Sequence, residues 1–130
     1  MSVSEPFKIP PAPALRKGQN PGLYLFGWAF RAKPDLVRWA NENNVGVGKD
    51  DHVKYQLAER AITVRLDPLK LGCVYDPSPE LPNGRKLCFI LTDNRTPESL
   101  ERAKDMDRIN QFRTVLGPDA ELKWYRYRKF

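Results

Sequence analysis

Residues 23–30 read LYLFGWAF and residues 87–91 read LCFIL, and what covers these two stretches decides the fold. A strand wetted on one face alternates apolar with polar residues. Neither stretch alternates. A strand-length apolar run is covered on both faces. In a chain of 130 residues, something must therefore lie on each side of the sheet.

Working outward, residues 1–22 hold Pro6, Pro10, Pro11, Pro13 and Pro21. Proline at this density gives an extended arm rather than a packed element. Phe7, Ile9 and Leu15 are its anchors, so the arm is expected to lie across its own domain or across a sister subunit. Pro10 and Pro13 form a PxxP, with Arg16 and Lys17 following one place beyond the usual spacing of an SH3 ligand. Residues 23–130 are read as one α+β domain, a size that buries enough surface to need no staples.

Within that domain Gly27 marks a bulge or a close backbone approach in the first strand. Pro34 opens a helix whose Leu36, Trp39 and Ala40 share one face. Asp50 or Asp51 caps a second helix with Val53, Leu57, Ala61 and Val64 on one face. Ile62, Val64 and Leu66 would equally alternate in a strand, so residues 61–66 fit either a continued helix or a strand that begins near Ala61. Residues 69–75 and 85–92 read as an antiparallel pair joined by DPSPELPNG. If Tyr75 pairs with Lys86, then Cys73 lies opposite Cys88. Thr96-Pro97-Glu98 opens a further helix and Gly117-Pro118 closes it. Its apolar residues Leu100, Ala103, Met106, Ile109 and Phe112 recur every third position, which drifts around a helix. The helix therefore either breaks near residues 105–107 or meets two partners. Residues 121–130 form a last strand, in which lysine and arginine suit an edge.

This is the split βαβ, ferredoxin-like order, with an extra helix after the first. The expected fold is an antiparallel sheet with helices on one face. The other face would be closed by a second subunit, by the proline arm, or by a ligand or a nucleic acid. The order resembles that of the dimeric α+β barrel group and that of the RNA-recognition-motif group. The first resemblance implies a homodimer with two sheets face to face. The second implies signatures at LYLFGW and RKLCFILT. The former fits in part; the latter has only Phe89 and lacks the glycine and paired aromatics.

The chain carries a formal charge of +6, spread along its length, which attracts anionic ligands and also aids solubility. No apolar run approaches the ~18 residues of a membrane span. The arm has no signal-like apolar core, so a cytoplasmic location without membrane contact is expected. The two cysteines cannot make a zinc site by themselves, and no phosphate-loop or dinucleotide motif occurs. No cofactor or metal is therefore expected.

Two functions follow from the aromatics and charges. In the first, Tyr24, Trp28 and Trp39 orient a small aromatic or apolar organic ligand within the sheet's covered face. His52 or Tyr55 would then be the group that moves a proton in any acid–base catalysis. In the second, Lys123, Trp124, Arg126, Tyr127 and Arg128 bind nucleic acid or an acidic partner, since they mix charge with π-faces.

Overall fold

The computed structural model describes residues 9–13, 22–77, 79, 84–117 and 120–127. The described chain is mixed α+β with a four-stranded antiparallel sheet. Its order is β1 (Tyr24–Phe30), α1 (Ala32–Glu42), α2 (Asp51–Arg65), β2 (Lys70–Tyr75), β3 (Arg85–Asp93), α3 (Pro97–Arg102), α4 (Met106–Leu116) and β4 (Lys123–Tyr127).

The sheet closes on itself. The strands lie in the order β1-β3-β2-β4, and β4 pairs with both β1 and β2. This explains how β1 is apolar on both faces. Phe26, Trp28 and Phe30 point outward into the main core, where they meet Phe89, Leu36 and Trp39, Ile62, and Ile109 and Phe112. Leu25 points inward, with Val74 and Cys88, into a second, smaller core. The inner face is thus covered by the other strands of the same sheet.

So narrow an interior requires small side chains. A Cβ on Gly27 would run into the backbone carbonyl oxygen of Phe89, and one on Gly72 would sit 3.0 Å from both Leu25 and Ile90. Gly27 is also where the β1–β3 register shifts. Phe26 pairs with Thr92 and Gly27 with Ile90, passing over Leu91. The glycine therefore serves both as bulge and as point of close approach.

Several expectations change. The C-terminal strand has neighbours on both sides and is not an edge. Tyr75 pairs with Arg85, not Lys86, so Cys73 faces Leu87 and Cys88 faces Gly72. Both thiols are buried and free. The choice left open at residues 61–66 falls to helix: the second helix continues to Arg65, because Ala58 and Ile62 form an i, i+4 pair into the core and Leu66 follows them. The drifting stripe in the last helical region resolves as a break. Asp105 stops one helix and caps the next, accepting from the Arg108 amide at 3.2 Å. The second half then turns Ile109, Phe112 and Leu116 to the core, while the first contributes only Ala103, just past its end.

The arm does touch its own domain. Ile9 packs on the main core and the Trp124 indole N–H donates to the Pro10 carbonyl at 3.3 Å. The other expected anchors, Phe7 and Leu15, lie outside the described residues.

Gly27→Ala should destabilise the fold by about 3 kcal/mol, because the methyl must displace strand backbone instead of a flexible side chain. Urea unfolding followed by circular dichroism measures this. A loss under about 0.5 kcal/mol, the range of neutral surface changes, would show that β1 and β3 separate easily.

Candidate functional site

Of the residues named for a small organic ligand, the structure brings Trp28, Trp39 and Tyr55 to one place, the main core. Trp28 stacks on Phe30 and Phe89 at 5.0 and 6.0 Å between ring centroids. The Trp39 indole N–H donates to the Val115 carbonyl at 2.8 Å, so the buried ring has its polar tip satisfied. Tyr24 is half-buried at the start of β1, where its amide donates to the Asn94 side chain at 2.9 Å. His52 stands in water on the first turn of α2, 3.3 Å from the Gln56 amide nitrogen. Neither joins the three core aromatics.

A cleft of about 540 Å³ opens beside β3 instead. Ile90 and Leu91 line it, with Lys70 at the head of β2 and Arg102, Asp105 and Arg108 from α3 and α4. None of the five residues above lines it. Arg108 is structural: it donates to the Leu66 and Pro68 carbonyls at 2.5 and 2.9 Å and lies 4.8 Å from the Phe112 ring centre. Partial burial lowers its pKa, opposed by Asp105 and Asp67. Lys70 and Arg102 have no ion-pair partner among the described residues.

The basic-aromatic strand divides by the alternation of β4. Trp124 and Arg126 project outward; Lys123, Tyr125 and Tyr127 take the other side. Trp124 is half-buried on Phe26, with ring centroids 5.0 Å apart, while Arg126 and Lys123 are exposed. Tyr127 is 39% exposed. Arg128 lies outside the described residues.

Pairing adds two residues that the sequence reading missed. Arg126 is opposite Tyr24 on one side and Tyr75 on the other, and Tyr75 is opposite Arg85. Directly opposed residues of antiparallel strands point the same way. A band of Tyr24, Arg126, Tyr75 and Arg85 therefore winds around the outer wall. At its centre Tyr75 is 47% exposed, between two exposed arginines. Gly84, with φ of +68°, backs the ring so closely that a Cβ would be 2.9 Å from it. The signal was present in the hairpin, one register position away.

Inside the barrel, Lys86 donates to Asp76 at 2.9 Å. Burial pushes the Tyr125 phenol well above its usual range, with the nearby Asp76 and Cys88 adding to this and the Ala29 backbone opposing it. Cys88 is raised by burial too. Among the described residues no group of three or more His, Cys, Asp and Glu side chains stands together to hold a metal ion. No described helix is long and apolar enough to cross a membrane.

No family model, curated protein or solved structure matches this chain.

The Tyr125 shift has a definite sign. Its folded pKa lies above the unfolded value of about 10, so the unfolded chain ionises first. The stabilisation is complete below pH ~10 and is lost as pH rises through the folded pKa. Tyr125→Phe should flatten that alkaline loss in a pH series of urea midpoints. An unchanged alkaline limb would place the Tyr125 hydroxyl in water.

Proposed function

We propose that the protein binds single-stranded nucleic acid on the outer wall around Tyr75. One observation carries this reading: strand register sets an exposed tyrosine ring between Arg126 and Arg85. A tyrosine offers a face on which a base stacks regardless of its identity. Guanidinium groups on either side meet phosphates, and the overall charge of +6 favours approach of a polyanion. Lys123 and Tyr127 belong to the same strand but take its other side, so the contact on this wall is made by Arg126, and Arg128 follows in sequence. This reading sets the aromatic stacking on the outer wall and leaves the inner face of the sheet packed.

A second reading, a small organic ligand, draws on the cleft beside β3. Its volume of about 540 Å³ is of ligand size. Ile90 and Leu91 would take an apolar body while Lys70 and Arg102 take an anionic end. Tyr24, Trp28, Trp39, His52 and Tyr55 would then act from outside the cleft or not at all. In the same reading the strand order is a closed variant of the ferredoxin-like arrangement, and the protein is cytoplasmic. A homodimer would use the exposed Leu57 and Val64 of α2, since the inner sheet face is already filled.

Fluorescence anisotropy with a labelled single-stranded oligonucleotide, across a salt series, separates these readings. Binding along many phosphates weakens steeply with salt, whereas uptake of a single anionic end by the cleft weakens far less. Tyr75→Ala should weaken oligonucleotide binding by about 1–3 kcal/mol, the usual contribution of one stacked base. Arg126→Ala should reduce the salt slope by about one. Binding that ignores both substitutions would remove the outer wall from the function. Light scattering on the same samples reads the oligomeric state, and a monomeric mass would exclude the α2 contact.

A further inference from the structure

We propose that the surface at Trp124 is a recognition site for proline-rich peptide, occupied in the resting chain by its own arm. The occupant's shape is dictated by sequence. Residues 9–13 read IPPAP. Proline fixes its own φ near −65°, and each residue that precedes a proline is driven out of the helical region. Ile9, Pro10 and Ala12 all precede one. Every residue of the segment is therefore a proline, precedes one, or both, and the segment is set in an extended, polyproline-like form before it docks.

The seat has the chemistry that such a segment requires. A polyproline stretch has no internal hydrogen bonds, so its carbonyls stay free to accept, and aromatic grooves bind it through ring faces and single donors. Here the Trp124 indole N–H donates to the Pro10 carbonyl at 3.3 Å. The Trp124 ring is supported from behind by Phe26. Ile9 enters the main core beside it, Pro13 is half-buried, and Pro11 and Ala12 face solvent. One indole donor, one aliphatic anchor and one supporting ring form a complete, small peptide site.

The contact is also weak enough to exchange. Among the described residues it consists of one long hydrogen bond, the Ile9 side chain and the half-buried Pro10 and Pro13. A peptide of the same aliphatic-Pro-Pro-x-Pro class, from another protein, fits the seat when the arm leaves. The seat is separate from Tyr75, so this inference does not rest on nucleic-acid binding.

The test uses the full chain carrying Ile9→Asp, which removes the arm's anchor by placing a carboxylate where apolar packing is required. The probe is a fluorescein-labelled synthetic peptide spanning residues 6–15. Anisotropy should show saturable binding to Ile9→Asp, weakened by roughly tenfold when Trp124→Phe is added, the loss of one hydrogen bond. Acrylamide quenching gives a second readout. Trp28 and Trp39 are buried, so released Trp124 dominates the gain in quenching, and unlabelled peptide should reverse it. No saturable binding to a cooperatively folded Ile9→Asp chain overturns the proposal, as does binding that ignores Trp124→Phe. If Ile9→Asp does not fold, excess peptide is added to the unsubstituted, nitrogen-15-labelled chain. Its Trp124 indole N–H resonance should then shift with peptide, and a fixed resonance overturns the proposal equally.

Discussion

Everything in this structure depends on how closely β1 and β3 approach at Gly27. A closed sheet of four strands has almost no interior volume. Closure is met here by glycine at positions 27 and 72, alanine at 29 and a thiol at 88, which leave room for Leu25 and Val74 with Ile90 and Tyr125 packed against them. A larger residue at either glycine would hold the strands apart and reopen the β2–β4 seam, which among the described residues pairs Val74 with Tyr127 and Tyr75 with Arg126. Once the sheet is closed, only its outer wall is left to cover. The helices cover the β1 and β3 side, where Phe26, Phe30 and Phe89 are fully buried, each contributing about 1.5–3 kcal/mol relative to exposure. They do not cover β2, where Leu71 and Tyr75 meet water. The exposed tyrosine is thus a consequence of closure with helices on one side.

The double-sided burial of β1 was legible from residues 23–30 alone, as was the bulge at Gly27. The cover itself was not, because apolar patterning reports that a face is covered and carries no information about what covers it. A sister subunit, an arm and the sheet's own curvature leave the same pattern. The break at Asp105 was legible as an angular drift, since a spacing of three cannot stay on one face of a continuous helix.

Register was the other limit, and it bears directly on the site. A slip of one residue sends every side chain of a strand to the opposite face. Pairing Tyr75 with Lys86 would bring the two cysteines together and turn Arg85 inward. The observed pairing does the reverse: Lys86 goes inside to meet Asp76, and Arg85 goes outside beside Tyr75. Local sequence around a proline-rich loop does not fix which occurs. The ion pair explains the choice, because a lysine in the barrel needs a carboxylate within reach.

The same reasoning separates aromatics that build the fold from those that present surface to solvent. Trp39 has given its only donor to a backbone carbonyl, and Trp28 lies in a stack of rings; moving either would leave a void or an unsatisfied group. Trp124 is intermediate, with one face on Phe26 and its donor on a segment that is not part of the sheet. Tyr75 is 47% exposed, with Gly84 behind its ring. This gradient runs opposite to what a run of aromatics suggests, since the most conspicuous stretch, in β1, is the most committed to packing. The cleft and the tyrosine also stand at opposite ends of β2, at Lys70 and Tyr75, separated by roughly 17 Å of extended strand. A ligand in one does not touch the other, and any coupling between them must pass through the narrow interior that Gly72 makes possible.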